Sequence, residues 1–544
     1  MGRGERRAEL VLRGPCAGGA GYFRDITSTS QPPENMRWER FSWHSRRVTS
    51  SDSVFNSQTT TTDTDLNQRA RLLTQAHKRL SELPKAILEL GSIFARNGHE
   101  LAMVGGPVRD ALLGLPIHDY DFTTSARPDE TEELLASWGG AHWDIGREFG
   151  TIGASRDGLV VEVTTYRAEE YDAESRKPGV HYGDSLEGDV TRRDFTVNAM
   201  AIRLPSMELA DTTGGLDDLV AGVLRTPVTA RQSFDDDPLR IMRAARFAAQ
   251  LGFDVADDVR EAMTEMASRL EIVSVERVQA ELHRLMISPH PRKGLELLVE
   301  TGVADIVLPE LSNLQDTVDE HGRHKDVYTH TLTVLDQAIA LETDADGAVP
   351  RPDFILRFAA LMHDIGKPAT RRYESDGSVT FHAHDIVGAR MAAKRMKALR
   401  FDKATTKAVA RLVELHLRFH GYGEQRWSDS AVRRYVTDAG PQLERLNRLT
   451  RADVTTRNRR KAQWLAAGMD DLEERIALLK EQEEVDAIRP DLDGGKIMEL
   501  LGLTPGPEVG KAYKFLLELR MEEGPLGEEE AARRLLAWWE DRDA

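Results

Sequence analysis

The segment LAMVGGPVRDALLGLPIHDYDFTTS, residues 101–125, is the part of the chain most informative about its fold. Its apolar start, Leu101–Val104, predicts a short strand that runs into Gly105 and Gly106, and the residues after them predict a helix. Glycines at a strand end allow backbone N–H groups to approach a phosphate, and the helix N-terminus adds positive potential. Arg109, one turn into the helix, can reach the same anion. The alternative interpretation of the two glycines is a structural turn.

The same segment contains two carboxylates in the motif Asp119-Tyr120-Asp121. Residues i and i+2 of a strand share one face, so these carboxylates converge, with their Cα atoms about 6–7 Å apart. They repel each other unless a cation lies between them. Two Mg²⁺ ions bridged by such a pair can activate an attacking hydroxyl and neutralise a leaving pyrophosphate. A solvated strand end is the alternative.

Glu162 is a lone charge in the apolar stretch Leu159–Thr165, which predicts another strand. A buried carboxylate needs a partner. A place as the third carboxylate of the metal site would supply one, and so would a salt bridge to a nearby arginine. The pattern therefore predicts a buried Glu162 with one of these two partners.

The 544 residues are enough for several domains. Strand patterns stop after about residue 228, and helical periodicity dominates afterwards. We therefore expect an α+β protein, in which a small mixed sheet head precedes an all-α remainder. The expected segments are a disordered N-terminal extension at residues 1–65, a head at 66–228, a helical neck and body at 229–318, a histidine-rich helical domain at 319–460 and a helical tail at 461–544.

Composition excludes several classes of protein. The net charge of −18 excludes a broadly basic nucleic-acid coat, so an RNA partner would need local basic patches, such as residues 390–400. No stretch approaches the ~20 apolar residues that span a bilayer, and no secretory signal is evident, so we expect a cytoplasmic protein without a membrane partner. The single cysteine, Cys16, excludes a disulfide framework and a cysteine-based zinc site.

A second group of candidate metal ligands lies along successive predicted helices: His330, His363, Asp364, His384, His416 and Asp453. Imidazole and carboxylate ligands suit Mn²⁺, Ni²⁺, Fe, Mg²⁺ or Zn²⁺, and the sequence does not select among them. A single surface histidine is usually without function, so the strength of this pattern lies in the whole set.

Six motifs occur in an order that resembles the class II tRNA nucleotidyltransferases, a family that includes the CCA-adding enzymes and the bacterial poly(A) polymerases. They lie at residues 105–110, 119–123, 192–200, 211–218, 236–247 and 276–281. The resemblance implies a nucleotidyltransferase head and a neck that carries a nucleotide template and binds RNA. It also implies that the tail binds RNA.

The resemblance assigns roles to particular residues. Gly105, Gly106 and Arg109 would hold the triphosphate, while Asp119 and Asp121 would bind catalytic Mg²⁺, with Glu162 as a third catalytic carboxylate. The residues that would position the sugar, the phosphates and the base are Arg193, Asp194, Asn198, Asp237, Arg240, Arg243 and Arg246. Two structural alternatives remain, namely an ion pair between Arg193 and Asp194 and a helix cap formed by Asn198.

The proposed template rests on a definite chemistry. CTP and ATP both present an amine donor beside a ring-nitrogen acceptor, whereas UTP and GTP present the reverse. A carboxylate accepts from the amine and a guanidinium donates to the ring nitrogen, so Asp237 and Arg240 together would select C and A. The alternative for Asp237 is an N-cap, because Pro238 suits the first helical position. Asp236 stands where the family commonly has Glu, which puts only a supporting contact in doubt.

The histidine set resembles the HD phosphohydrolase superfamily, whose ligands occur in the order His, His-Asp, His, His, Asp. In this register His384 is preferred over His382 as the third histidine-bearing position. Bound water at such a site would attack a phosphoester, such as a 2′,3′-cyclic phosphate at an RNA end. A vestigial site without turnover is the alternative.

Together these features predict an enzyme that adds C, C and A to the 3′ end of tRNA from CTP and ATP. Mg²⁺ would act at the head and an unidentified divalent metal at the HD site. The alternatives are a poly(A) polymerase, which shares the catalytic motifs, and a metal-dependent phosphohydrolase acting on RNA ends. No DNA partner is expected.

Overall fold

The computed structural model describes residues 63–542, apart from residues 145, 171–178, 184, 316, 318–325, 376–377, 420–421, 423–426, 457 and 484–487. The predicted disordered extension, residues 1–65, lies outside the described residues except for its last three. Those three are helical, because the first helix begins at Asp63. The first described helix therefore begins three residues before the predicted start of the head.

The head is built on a mixed β-sheet with helices packed against it. Its helices are α1 Asp63–Ser81, α2 Lys85–Arg96, α3 Gly106–Leu112, α4 Pro128–Trp138, α5 Leu186–Thr191 and α6 Gly215–Ala221. Its strands are β1 Leu101–Val104, β2 Tyr120–Thr124, β3 Ala141–Trp143, β4 Thr151–Arg156, β5 Leu159–Thr165, β6 Arg167–Glu170, β7 Gly179–Tyr182, β8 Met200–Leu204 and β9 Glu208–Asp211.

Sheet topology brings the two ends of the 101–125 segment together. Seven strands pair in the order β3-β4-β5-β2-β1-β8-β9, while β6 and β7 form a separate hairpin. Strand β1 is buried along its whole length and pairs antiparallel with β2, with Met103 opposite Phe122. The end of β1 therefore lies beside the start of β2, and Gly105 follows there at φ +77°, in the left-handed region that glycine tolerates.

Helices form the neck. They are α7 Ala230–Asp236, α8 Leu239–Leu251, α9 Asp257–Met266, α10 Val275–Met286, α11 Pro291–Glu300, α12 Val303–Val307 and α13 Pro309–Ser312. Two short parallel strands, β10 Val223–Leu224 and β11 Asp254–Val255, join the end of the head to the neck. Helix α8 ends where Gly252 adopts φ +71°, and its apolar side is buried against α10 and α11.

The described residues after the neck are mostly helical. The histidine-rich segment contains α14 Val327–Ala340, α15 Phe354–Met362, α16 Lys367–Thr370, α17 His384–Ala398, α18 Lys403–Leu415, α19 Asp429–Ala439 and α20 Leu443–Ala452, with a small hairpin of β12 Arg372–Tyr373 and β13 Val379–Thr380. The tail contains α21 Arg459–Glu483, α22 Gly494–Leu501, α23 Pro507–Glu523 and α24 Glu528–Asp541.

The helices of the tail belong to two separate apolar cores. One large core runs from α1 in the head through the neck and the histidine-rich helices, and Met469 and Leu472 of α21 belong to it. A separate small core joins α22, α23 and α24 around Ile497 and Leu516. The predicted tail, residues 461–544, thus begins with a helix that packs with the preceding domain.

The predicted α+β class, with a mixed sheet head and a helical remainder, is confirmed. Within the described ranges, none of the helices has the length and apolar character that crossing a bilayer requires.

Candidate active site and candidate metal centre

The head carboxylates lie on two neighbouring strands. Strands β2 and β5 are parallel, and their register places Asp121 directly opposite Glu162. Asp119 does not lie within the strand as predicted, because β2 begins at Tyr120. Asp121 and Glu162 line a cleft of about 390 Å³ between head and neck. The convergence of carboxylates therefore involves two strands as well as the Asp119-Tyr120-Asp121 motif.

Glu162 is exposed, which corrects the prediction that it is buried. Strand β5 alternates, so Val161 and Val163 enter the core while Glu162 faces the cleft. The predicted salt bridge to an arginine is also absent among the described residues, where Glu162 forms no ion pair. The side chain thus stays available to a cation or a substrate.

The electrostatics of these carboxylates favour a bound cation. Desolvation raises the pKa of Asp121, and repulsion from Glu162 and from Asp119 raises it further, against the attraction of Arg193. A divalent cation would relieve that repulsion, and oxygen ligands suit Mg²⁺. The oxygen atoms of the three carboxylates do not all lie within 4.8 Å of one another, in contrast to the histidine sites of the described chain.

Arg193 lies directly against the glycine turn. A Cβ atom on Gly105 would sit 3.0 Å from the Arg193 Nη1 atom, so glycine is needed for this close approach. The Arg193 Nε atom is buried and has no hydrogen-bond partner among the described residues. The Arg193 Nη2 atom lies 3.5 Å from Asp189 Oδ2, which is a long contact. A guanidinium placed in this way has N–H groups left for an anion in the cleft.

Sequence reasoning missed Asp189, which lies within α5 and is fully buried. Its Oδ1 atom accepts from Arg192 Nη2 at 2.8 Å and from the Arg167 backbone N–H at 3.2 Å. Burial opposes ionisation of Asp189, but Arg192 and Arg193 hold its pKa below the usual value. The signal was present in the sequence, because an acid three and four residues before two arginines shares their helix face.

Arg109 faces a network of polar side chains and does not line the cleft. Its Nη1 atom donates to Asn198 Oδ1 at 2.7 Å, and its Nε and Nη2 atoms donate to Asp110 Oδ1 at 2.9 and 2.7 Å. Asn198 Nδ2 in turn donates to Asp194 Oδ1 at 3.0 Å. Asn198 is therefore a link between side chains, and the alternative role as a helix cap is not observed.

Asp194 joins the head to the neck. Its Oδ2 atom accepts from Arg243 Nε at 2.8 Å and from Arg243 Nη2 at 2.6 Å, so the alternative pair with Arg193 does not form. Burial alone would raise the pKa of Asp194, but Arg243, Asn198 and the Phe195 N–H lower it to about 2. The carboxylate is ionised at neutral pH and fixes Arg243 at the cleft.

Arg246 lies away from the cleft and is committed to structural contacts. Its Nε atom donates to Glu281 Oε2 at 2.6 Å, and its guanidinium lies 3.6 Å from the Phe247 ring centroid. Burial lowers the pKa of Arg246 to about 10, against the attraction of Glu281. The structure therefore places Arg243 in the cleft and Arg246 behind it, although the two occupy the same motif.

Asp237 and Arg240 both line the cleft. Asp237 Oδ1 accepts from the Leu239 N–H at 3.1 Å, which is a capping contact, and Oδ2 accepts from Arg277 Nη2 at 2.7 Å. Arg240 is buried, and its guanidinium donates to Ser233 Oγ at 2.8 Å and to the Arg192 carbonyl at 2.6 Å. Both members of the predicted template face the cleft, and both also have intramolecular partners.

The six candidate ligands of the histidine-rich domain meet at one point, although 123 residues separate the first from the last. Two groups have ligand atoms within 4.8 Å of one another, His330 with His363 and Asp453, and Asp364 with His384 and His416. Asp364 joins the groups, because its Oδ2 atom lies 3.2 Å from His363 Nε2 and its Oδ1 atom lies 3.3 Å from His384 Nε2. His382 is exposed and lies outside this centre.

Backbone carbonyls orient the buried imidazoles. The Nδ1 atoms of His363, His384 and His416 lie 2.8, 2.8 and 2.6 Å from the carbonyls of residues 360, 381 and 413. Each Nε2 atom therefore points to the centre, as in metal-binding histidines. Nε2 of His384 and of His416 is buried without a well-aligned hydrogen bond to any described residue. These orphaned acceptors fit a divalent metal.

The pKa values of two histidines reflect burial and the nearby carboxylates. Burial lowers the pKa of His416 to about 4, so its imidazole is neutral and able to bind a cation. Burial acts in the same direction on His363, but Asp364 and Asp453 raise the pKa of His363 to about 9. Binding of a metal ion to His363 would displace the proton that the neighbouring carboxylates stabilise on its imidazole. Lys367 Nζ lies 2.8 Å from Asp364 Oδ2 and partly neutralises the same carboxylate.

Three family models match the chain. They are the poly A polymerase head domain at residues 101–225, the probable RNA- and SrmB-binding site of polymerase A at residues 252–314, and the HD domain at residues 327–458. The matches cover the cleft, the neck and the histidine centre in turn. They agree with the two family resemblances that the motifs predicted.

Two curated relatives match over most of their length. The A-adding tRNA nucleotidyltransferase of Deinococcus radiodurans is 35% identical over 449 residues, which is 80% of this chain and 95% of the relative. The CCA-adding enzyme of Streptococcus thermophilus is 33% identical over 454 residues, which is 83% of this chain and 95% of the relative.

Solved structures show the same fold. The Bacillus stearothermophilus CCA-adding enzyme in complex with CTP superimposes with a TM-score of 0.58 at 23% identity, covering 84% of this chain and 98% of that one. The Thermotoga maritima CCA-adding enzyme complexed with tRNA gives 0.55 at 18% identity, covering 86% and 98%. With curated relatives above 30% identity over 95% of their length, and the family models in the same order, the chain belongs to the tRNA nucleotidyltransferase and poly(A) polymerase family.

Proposed function

We propose that the chain is a CCA-adding enzyme, which adds C, C and A to the 3′ end of tRNA from CTP and ATP. The observation that carries this proposal is the single cleft in which Asp121 and Glu162 face Arg193, Arg243 and the pair formed by Asp237 and Arg240. Carboxylates for metal ions, cations for phosphates and a donor–acceptor pair for a base are the parts that nucleotidyl transfer requires. The relatives named for tRNA nucleotidyl transfer support the choice of substrate.

We assign Mg²⁺ to the carboxylates of the head. Asp121 and Glu162, together with Asp119, would hold the ions, which supply charge neutralisation at the transferred phosphoryl group. The chain's own residues do the rest. Arg193 offers a buried and unpaired Nε–H group beside the glycine turn, where a triphosphate oxygen would bind. Asp194 keeps the Arg243 guanidinium at the cleft wall, where it can meet the sugar or the phosphates.

Base selection is assigned to Asp237 and Arg240. Asp237 uses one oxygen for the capping bond to Leu239 and the other for Arg277, and each oxygen has a further lone pair. Arg240 donates through both Nη atoms to Ser233 and to the Arg192 carbonyl, which fixes the plane of its guanidinium. The remaining N–H groups of Arg240 and the lone pairs of Asp237 would read the base.

The HD centre favours a second activity, a metal-dependent phosphohydrolase acting on RNA ends. The observation behind it is the pair of buried Nε2 atoms on His384 and His416, which form no well-aligned hydrogen bond to a described residue. His330, His363, Asp364 and Asp453 complete the ligand set. The identity of the metal is not assigned.

The nucleotides that the enzyme adds distinguish CCA addition from two alternative activities. The Deinococcus relative is named A-adding, so an enzyme that completes only the terminal A is the nearest alternative. A poly(A) polymerase would instead extend RNA by many adenylates. We expect tRNA, CTP and ATP as the partners and the cytoplasm as the compartment.

The test uses three tRNA transcripts, which end at the base before CCA, after C, and after CC. Each is incubated with purified protein, Mg²⁺ and one or both of CTP and ATP, and the products are sequenced. A CCA-adding enzyme completes all three transcripts and stops after A. Addition to the CC-ending transcript alone would identify an A-adding enzyme, and long adenylate tails would identify a poly(A) polymerase. No addition to any transcript would refute the proposal.

A further inference from the structure

Helices α17 and α18 form a basic region on an acidic protein. Residues 385–411 contain eight Lys or Arg and two acidic residues, Asp385 and Asp402, in a chain whose net charge is −18. Arg411 pairs with Glu414 and Asp438, and two further arginines bind carboxylates of the neck. Arg395 Nε lies 2.8 Å from Glu310 Oε2, and Arg400 Nη1 lies 2.9 Å from Glu276 Oε1. These ion pairs fasten α17 to the neck.

Three further cations on α17 are free of such partners. Arg390, Lys394 and Lys397 are exposed, and in the described part of the chain no carboxylate pairs with them. They occupy positions i, i+4 and i+7, so they share one helix face and span about 10 Å. We call these three residues the α17 stripe. Like charges at this spacing repel each other, which costs stability unless a polyanion neutralises them.

Helix α18 carries two further exposed cations. Lys403 and Lys407 are exposed and likewise have no ion pair among the described residues. Helices α17 and α18 are antiparallel, with Gly388 packed against Val413, so Lys407 lies level with Lys394 of the stripe. Exposed cations without an ion pair among the described residues therefore occur on both helices.

The stripe lies between the two candidate sites. Two residues beyond the C-terminal end of α17, Arg400 pairs with Glu276 of the neck. Arg277, which follows Glu276, donates to Asp237 in the nucleotide cleft. At its N-terminal end, α17 begins with His384 of the HD centre. Helix α17 has 15 residues, so about 22 Å of helix separates these ends.

We propose that the α17 stripe binds the phosphate backbone of the RNA whose 3′ end enters the nucleotide cleft. This proposal rests on the proposed function for the identity of that RNA. Phosphates repeat along a strand and need only cations and hydrogen-bond donors, which the stripe supplies. A protein partner would need an apolar centre, whereas the stripe side chains are all charged and solvated. The same bound RNA lies near both the nucleotide cleft and the HD centre.

The test replaces the stripe by neutral residues in the full-length protein, as the triple variant Arg390→Gln, Lys394→Gln and Lys397→Gln. Affinity for a tRNA transcript that lacks CCA is measured by fluorescence anisotropy at several salt concentrations. Three lost phosphate contacts should reduce the slope of log K against log [salt] by about 2–3. Between 50 and 200 mM salt, wild-type affinity should therefore fall on the order of 20–40-fold more than that of the variant.

A matched control removes the same charge elsewhere. Lys78, Lys85 and Arg96 lie on α1 and α2, are exposed, and have no ion pair among the described residues. Their triple replacement by Gln changes net charge equally and should leave the salt slope within about 0.5 of the wild-type value. An equal reduction in both triple variants would overturn the proposal, because the effect would then come from net charge alone.

Nucleotide addition separates this proposal from the proposed function. The stripe variant should raise KM for tRNA at least fivefold and change kcat less than twofold, since the cleft residues are intact. Unchanged RNA affinity with normal addition would overturn the stripe and leave the proposed function standing. If RNA binding depends on the stripe but the wild-type protein adds no nucleotide, the stripe proposal stands and the proposed function is refuted.

Discussion

Replacing Arg240 by Ala tests whether this side chain selects the base of the incoming nucleotide or only stabilises the fold. Arg240 is 8% exposed and donates to Ser233 and to the Arg192 carbonyl. Its loss removes these bonds and leaves buried acceptors unsatisfied, which should cost about 2–4 kcal/mol of stability. If Arg240 also donates to the ring nitrogen of CTP and ATP, discrimination against UTP and GTP should fall by about 1–3 kcal/mol, or about 5–150-fold.

Arg246→Ala is the matched control for this change. Arg246 lies on the same helix, is equally buried, and donates to Glu281 and Gln250, yet it does not line the cleft. Its replacement should destabilise the protein by about 3–5 kcal/mol, because a buried charge pair is broken. Base choice should stay within twofold of wild type. The pair of variants therefore separates stability from base selection.

Asp237→Asn addresses the capping alternative. Asparagine keeps an acceptor for the Leu239 N–H, so the loss of stability should stay below about 1 kcal/mol. The amide also offers a donor where the carboxylate accepted, so UTP and GTP should gain relative to CTP and ATP.

The assay is relative kcat/KM for the four nucleoside triphosphates in wild type and the three variants, with urea unfolding in parallel. Two results would refute the template. One is an unchanged preference for CTP and ATP in both Arg240→Ala and Asp237→Asn. The other is an equal loss of preference in Arg246→Ala.

The ion pair of Asp194 and the metal centre give two further predictions. Asp194→Asn should lower the free energy of unfolding by about 2–3 kcal/mol at pH 7, because the folded state lowers the pKa of Asp194 to about 2. This contribution of Asp194 is complete above about pH 4 and is lost as the pH falls towards 2. The control is Asp217→Asn, whose carboxylate is 71% exposed and pairs with Arg69. It should cost less than about 1 kcal/mol in the same urea titration. His416→Ala should reduce the divalent metal bound per chain at least tenfold by elemental analysis, whereas the exposed His382→Ala should retain it. Equal metal content in both histidine variants would contradict the assigned ligands.

Local sequence signals predicted the scaffold of the cleft well. A strand that ends in two glycines before a helix needs only a few adjacent residues, and the structure has this arrangement at Val104 and Gly105. The register between β2 and β5 was not predictable in the same way. It depends on which strands pair, and it decides that Glu162 faces the cleft opposite Asp121.

The roles of the arginines were the least predictable part of the site. Arg246 stands in the same motif as Arg243 of the cleft, but the structure pairs it with Glu281. Arg109 follows the glycine turn, but it pairs with Asn198. A long flexible side chain can reach several partners, and tertiary packing decides which of them is near. The HD ligands show the complementary case, because only the family resemblance connected His330 with Asp453 before the fold brought them to 3.0 Å.

The assignment of nucleotidyl transfer to the head is tested most directly by comparing Asp121→Asn with His363→Ala in one assay. Both proteins are given CTP, ATP, Mg²⁺ and a tRNA transcript without CCA, and the completed 3′ ends are counted by sequencing. Asp121→Asn should lose at least about 100-fold in the rate of addition, since loss of a metal ligand costs several kcal/mol, while tRNA binding persists. His363→Ala should add nucleotides within twofold of the wild-type rate. Two results would contradict the assignment of nucleotidyl transfer to the head. One is retention of more than about a tenth of the wild-type rate in Asp121→Asn, and the other is loss of addition in His363→Ala but not in Asp121→Asn.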